Sequence, residues 1–395
     1  MSGSAGFIPI AAARDAAWKL AALPPLALYI HVPWCVRKCP YCDFNSHEVK
    51  SGLPEKDYLA ALIADLEATL PLVWNRPVHS VFIGGGTPSL LSGAGVERLL
   101  ADIRARLPLA PEAEITLEAN PGTAEAEKFA AFAAAGVNRL SLGIQSFDDA
   151  KLRALGRIHD GTEACHAIEL ARRHFDAINL DLMYGLPDQT LVQARRDLDT
   201  AIGFAPGHIS AYHLTLEPNT AFHQAPPPLP DDELCADMQE MAENTLAAAG
   251  YQHYETSAFA RPGRQCTHNL NYWRFGDYLG IGAGAHSKLS FHDGIRREAR
   301  PRHPRDYLAD PAHRDWQDVD HADLPFEFMM NALRLCDGVE TRLFAERTGL
   351  PLVVAADALR EAERDGLLSI SPERIAPTPQ GQRFLNELLR RFLSD

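Results

Sequence analysis

Three cysteines stand within eight positions, Cys35-Val-Arg-Lys-Cys39-Pro-Tyr-Cys42. Thiolates at such spacing are ligands for soft metals. Pro33 and Pro40 disfavour a continuous helix, so the three thiols fall on a loop that can wrap a compact group. Structural zinc sites use four ligands in paired knuckles. Here a fourth would have to come from Cys266 or His268, far along the chain. Three thiolates on an iron–sulfur cubane instead leave one iron without a protein ligand, open to bind and reduce a substrate. The clustered triplet without a matching second pair favours the cubane, with zinc as the alternative. Cys165, Cys235 and Cys336 lie in helical patterns and read as small core residues.

The elements that must position this loop are legible as alternation. Apolar runs at Leu26–Val32, Val78–Ile83, Glu114–Glu118, Arg139–Ile144, Ala177–Met183 and His208–Leu214 read as strands. Helical patterns at Asp57–Leu70, Gly95–Leu107, Ala124–Ala135, Thr162–Arg173 and Leu191–Phe204 separate them. Strands alternating with helices predict right-handed βαβ units and a parallel sheet, here a partial (β/α)6 barrel of α/β class. Polar and glycine-rich residues follow nearly every strand, where barrel enzymes place their chemistry. Gly84-Gly85-Gly86-Thr87-Pro88 follows the second; such glycines let backbone approach a ligand closely, although a lone triplet reads equally as a tight turn.

Beyond Pro226–Pro230, Asp232–Ala249 reads as a helix, Tyr251–Ala260 as a strand and Cys266–Trp273 as a polar loop. The expected organisation is a lead-in over 1–25, the barrel with its polar loop over 26–290, a charged, Pro-broken connector over 291–324, and a C-terminal domain over 325–395. That last domain, with helices at Phe326–Leu335, Ala355–Asp365 and Gly381–Phe392 around a hairpin of Leu367–Ile370 and Arg374–Pro377, is expected to be α+β and winged-helix-like.

The whole composition narrows the function classes. The 395 residues are 46% hydrophobic, enough for a sizeable core, and the net charge of −14 argues against nucleic-acid binding, which needs a basic face. No apolar run approaches the ~20 residues of a spanning helix. The Ala-rich stretch 7–23 is broken by Arg14, Asp15 and Lys19 and lacks a basic lead, unlike a secretory signal. With an odd total of seven cysteines, this predicts a reducing, cytoplasmic setting rather than a disulfide framework.

Cys-x3-Cys-x2-Cys after a first strand resembles the signature of the radical S-adenosylmethionine (SAM) superfamily. The resemblance implies a [4Fe-4S] cluster on Cys35, Cys39 and Cys42, with SAM on the open iron and reductive cleavage to a 5′-deoxyadenosyl radical. It implies SAM contacts from Tyr29, Tyr41, Gly85, Gly86 and Thr87. Glu118 would take the ribose hydroxyls and Arg157 the methionyl carboxylate, with Gln145, Asp181, Thr215 and His286 completing the set. A guanidinium suits a carboxylate because it offers directed, charge-assisted bonds.

The segments Tyr29-Ile-His-Val-Pro-Trp-Cys35, Gly-Ile-Gln-Ser-Phe147, Asp181-Leu-Met-Tyr-Gly-Leu-Pro and Glu327-Phe-Met-Met-Asn-Ala-Leu-Arg-Leu335 narrow the likeness. They are similar to oxygen-independent coproporphyrinogen III dehydrogenase and its relatives. The dehydrogenase pattern has a further cysteine where this chain has Phe44, and a longer segment before the first strand than the roughly 25 residues here. His268-Asn269-Leu-Asn-Tyr272 resembles the His-Asn-x-x-Tyr motif of the HemW-like heme chaperones. That branch implies heme as cargo, with His268 as iron ligand and Asn269 and Tyr272 orienting it; Cys266 is a weaker alternative. It further implies heme-accepting respiratory proteins as partners, peripheral membrane contact through the partner, and a cluster-dependent homodimer. The dehydrogenase activity is the competing expectation, and whether SAM is cleaved stays open.

Overall fold

The computed structural model describes residues 18–50, 52–122 and 126–393. Most of the Ala-rich lead-in, up to residue 17, lies outside the described residues, as does the start of the helix expected at Ala124. Six parallel strands run in chain order: β1 (Leu26–Val32), β2 (Val78–Gly85), β3 (Leu109–Ala119), β4 (Arg139–Gln145), β5 (Ala177–Tyr184) and β6 (His208–His213). Helices Glu55–Thr69, Gly93–Arg106, Phe129–Ala135, Gly161–Ala171 and Leu191–Gly203 return the chain between them. This is an α/β partial barrel with a smaller C-terminal domain.

Alternation within the strands explains the layers. In β1, Leu28, Ile30 and Val32 are fully buried in the core shared with the returning helices, alongside Ile83, Leu117, Leu142 and Leu180 of the next strands. The intervening residues carry polar atoms: Tyr29 and His31 on β1, Ser80 on β2, Glu114 and Glu118 on β3, Ser141 on β4, Asn179 and Asp181 on β5. Tyr29 bonds His31, and Asp181 bonds both Ser141 and Asn179, along the barrel's inner face. A period of two therefore sorts apolar atoms outward to the helices and polar atoms inward.

The sheet does not stop at six strands. Its twelve-strand order adds a hairpin, β7 (Gln252–Glu255) and β8 (Ala258–Ala260), beside β6. On the other side β9 (Asp277–Ile281) lies parallel to β1, and β10 (His286–Ser290), β11 (Ile295–Ala299) and β12 (Asp315–Asp318) follow antiparallel. The single strand expected over Tyr251–Ala260 is thus a hairpin. The stretch expected as a connector contributes β11 and β12. Its Arg300 side chain is fully buried, bonded to Asp65 of the first helix and to Glu298 at 2.9 Å each. Charged composition suggested a linker; burial of a paired cation fastens it to the barrel instead.

The C-terminal domain is a three-stranded antiparallel sheet, Val339–Glu340, Arg374–Pro377 and Leu368–Ile370, with flanking helices. A second core of Leu324, Phe328, Phe344, Leu359 and Ile375 seats it on Phe275 and Ala258 of the barrel side. The closing helix expected at Gly381–Phe392 is broken into Pro379–Arg383 and Leu385–Arg390.

Candidate functional site

The cysteine loop closes over the C-terminal ends of β1–β6. Its entry is fixed by a short parallel pairing of Trp34–Cys35 with His47–Glu48, and its turn by the Cys42 amide bonded to the Cys39 carbonyl at 3.1 Å. Cys35, Cys39 and Cys42 line one cavity of about 360 Å³ together with Tyr41, Gly85, Gly86, Thr87, Glu118, Gln145, Arg157, Asp181 and Thr215. Burial raises the Cys35 and Cys42 thiols, with hydroxyls of Thr87 and Ser46 opposing the shift at Cys35.

Among the described residues no trio of His, Cys, Asp or Glu closes around a single metal ion. The three thiols rim the cavity from the cysteine loop. Cys266 and His268, the fourth ligands of the zinc alternative, are bonded to Glu114, four residues before Glu118 on β3. Four residues of strand are about 13 Å, so they belong to the barrel's floor, not its mouth.

Arg157 organises the far wall. Its Nη2 donates to Asn120 Oδ1 at 2.6 Å and to the Gly143 carbonyl at 2.9 Å, and Nη1 reaches Cys39 Sγ at 3.6 Å. Its buried Nε has no partner, an orphaned cationic donor that fits a ligand carboxylate. Glu118 accepts the Gly85 amide at 3.0 Å, and its pKa is pushed up to about 8 by burial and by neighbouring Asp181. Asp181 is held by Ser141 at 3.0 Å and Asn179 at 2.8 Å, and is itself raised by burial. The raised pKa favours the protonated Glu118 carboxyl, a form able to donate as well as accept toward hydroxyls. Gln145 ends β4 with φ of +68°, a strained conformation for a residue with a side chain.

The glycine triplet has a reason the sequence did not reveal. A Cβ on Gly86 would lie 2.5 Å from the Trp34 carbonyl oxygen, and one on Gly85, with φ of +113°, 2.5 Å from the His31 ring. The close approach is to the chain's own β1 and cysteine loop, and it sets that loop's height above the strands. Asn120, unmarked in the sequence reading, also belongs to the wall: it bonds Arg157 and donates to Thr87 at 3.1 Å. Its place two residues after Glu118 was the available signal.

Two expected SAM contacts sit elsewhere. Tyr29 and His286 line a second cavity of about 720 Å³ with His31, Tyr272, Tyr278 and Arg302. It adjoins the first across Phe44, Gly85 and Glu118, which border both. The expected heme motif is also repositioned. Cys266–Trp273 is not a loop: Thr267–Trp273 is a helix with Cys266 as its N-cap. His268 faces inward and is 2% exposed, bonded through Nδ1 to Ser80 Oγ at 2.9 Å and stacked on Phe82. Burial pushes its pKa down to about 3. Its Nε2 has no partner but borders neither cavity. Cys266 is 4% exposed and its thiol is pushed up to about 12, by burial and by Glu114. Asn269 is half-buried and borders neither cavity, whereas Tyr272 lines the second. Cys165, Cys235 and Cys336, expected in the core, are only partly buried.

Barrel, cysteine loop and the polar strand ends around one cavity define a radical SAM protein. Residues 29–201 match the radical SAM superfamily and residues 319–384 the HemN C-terminal domain. The chain is 52% identical to the heme chaperone HemW of Escherichia coli over 94% of its length and 99% of that protein's. It is 37% identical to that of Mycobacterium tuberculosis over 95% and 97%. In structure it resembles the coproporphyrinogen III oxidase HemN of E. coli, with TM-score 0.79 and 23% identity, covering 94% of this chain and 90% of that one. The chain belongs to the heme chaperone HemW family.

Proposed function

We propose that this protein is a heme chaperone which carries a [4Fe-4S] cluster and SAM, holds heme beside them, and passes it to acceptor hemoproteins, those of respiration among them. The observation that supports this best is the pairing of cavities. The cysteine-rimmed one shares Phe44, Gly85 and Glu118 as lining with a larger one walled in part by the rings of Tyr29, Tyr272 and Tyr278. The family's printed name points the same way.

Cys35, Cys39 and Cys42 would hold the cluster, and Arg157, Glu118, Gln145 and Asp181 would hold SAM. The cluster supplies one-electron reduction and an open coordination position when bound. The chain's own residues bind, orient and shield. Arg157 offers its orphaned Nε to a carboxylate while its Nη2 braces Asn120 and the fourth strand. Protonated Glu118 can donate to a ribose hydroxyl and keeps its other contact with the Gly85 amide. Among the described residues no helix is long and apolar enough to cross a membrane, so membrane contact would come through the acceptor.

The test is an anaerobic heme titration of the cluster-reconstituted protein, followed optically, beside a coproporphyrinogen III conversion assay. Stoichiometric heme binding without conversion is expected. Conversion without stable heme binding would overturn the reading in favour of the dehydrogenase.

A further inference from the structure

Three histidines approach the larger cavity, and they differ in what their rings can still do. His31 is 5% exposed and has both nitrogens engaged: Tyr29 at 2.9 Å on Nδ1 and the Asn45 carbonyl at 2.9 Å on Nε2. His268 lies behind Tyr29 and Tyr272, whose ring centroids are 6.5 and 5.0 Å from its own, and it lines neither of the two cavities described above. His286 is exposed at the start of β10, lines the cavity, and among the described residues makes no hydrogen bond through either ring nitrogen.

We propose that His286, and not His268, presents the axial imidazole to heme, with the macrocycle seated in the cavity between β1 and β10. This inference rests on the heme-chaperone reading above. An axial ligand needs a nitrogen lone pair facing open space and a flat apolar seat beside it. The cavity provides the seat. Tyr272 and Tyr278 pack at 4.5 Å between ring centroids on one side, Tyr29 projects from β1, and Phe44 lines both this cavity and the cysteine-rimmed one. About 720 Å³ falls within the roughly 300–1,000 Å³ typical of cofactor pockets. Heme also carries two carboxylates. Exposed Arg302 lines the same cavity and is positioned to meet one of them, whereas Arg297 and Arg300 are committed to Glu327, and to Asp65 and Glu298.

His268 then has a different task. Its ring fixes Tyr272 edge-on and stacks on Phe82, so it positions the aromatic wall without touching iron. A His-Asn-x-x-Tyr motif matters in this arrangement through Tyr272, whose ring is delivered to the cavity by a helix that buries its histidine.

The experiment uses the full-length, cluster-reconstituted protein and free hemin, with wild type, H286A, H268A and R302Q titrated under identical anaerobic conditions. H286A is expected to weaken hemin binding by about tenfold or more and to shift the Soret band. Added imidazole should restore the wild-type spectrum in H286A, a rescue that a merely structural role would not give. R302Q should weaken binding without changing the Soret position. H268A should retain the wild-type Soret position, even if affinity falls. Failure of wild type to bind hemin would sink the chaperone reading itself. Wild-type binding with an unchanged spectrum in H286A, or a ligand-loss spectrum in H268A alone, would overturn the assignment to His286. Circular dichroism and cluster absorbance monitor folding; if H286A does not fold, H286Q, which also removes the imidazole, replaces it in the same comparison.

Discussion

Arg157 reaches the sulfur of Cys39 with Nη1 at 3.6 Å, linking the end of the fourth βα unit to a loop more than a hundred residues earlier. One cation thus braces the cysteine loop, the β4 end through Gly143, and the β3 end through Asn120. The site is held together by this cross-strand tie as much as by the cysteine spacing.

Replacing Arg157 by Lys keeps the charge and loses the planar fork. With hydrogen bonds to charged groups worth about 1.5–3 kcal/mol, SAM affinity should fall roughly 10- to 100-fold. Isothermal titration of the reconstituted protein measures this. Unchanged affinity would remove Arg157 from the SAM site.

Cys35→Ser should abolish the visible absorbance of the reconstituted cluster while the protein stays folded by circular dichroism. The core of β1 is built from Leu28, Ile30 and Val32, not from the thiols. Aggregation of the variant would show that the loop is part of the fold's stability.

Glu118, pushed up to about 8, gives a signed pH dependence. A carboxyl raised in the folded state contributes stability that is full below its unfolded pKa, near 4.5, and is lost as pH rises through about 8. Glu118→Gln removes that dependence. The Tm of the variant, relative to wild type in the SAM-free protein, should therefore be higher at pH 8.5 than at pH 5. A pH-independent difference would mean that Glu118 is ionised at neutral pH.

Gly86→Ala places a methyl 2.5 Å from the Trp34 carbonyl oxygen, against backbone that cannot swing aside. Overpacking of this kind costs about 1–3 kcal/mol, and here it also lifts the cysteine loop. A lowered Tm together with incomplete cluster reconstitution is expected. Normal reconstitution would show that the loop's height is set elsewhere.

Arg300→Met should lower stability by about 3–5 kcal/mol, because buried Asp65 and Glu298 would be left without their shared cation. Chemical denaturation reads it directly. A near-neutral effect would return 291–324 to the role of a loosely attached connector.

Much of this was legible because it is local. The eight-residue cysteine run fixes three thiols on one loop by covalent reach alone, and the alternation of apolar runs with helical patterns placed the six barrel strands within two residues of their bounds, except that β3 begins at Leu109 and not at Glu114. Glu118, Gln145, Arg157 and Asp181 could be gathered because in a parallel sheet successive strand ends meet at one mouth. Asp293–Asp320 misled because its charges looked solvated, and only pairing with Asp65 from the first helix made burial tolerable.

The sequence by itself determined the three-cysteine loop, the order of the barrel strands and the mouth where the polar strand ends gather, since all three follow from short-range spacing and strand period. Only the tertiary structure decided which histidine meets open space. His268 is buried because β9 inserts beside β1 and lays the preceding helix against Ser80, 188 residues away in the chain. His286 is exposed because β10 turns back antiparallel at the rim. Sheet order and helix phase, which couple residues across the whole chain, set that choice, and neither is written in the spacing around either histidine.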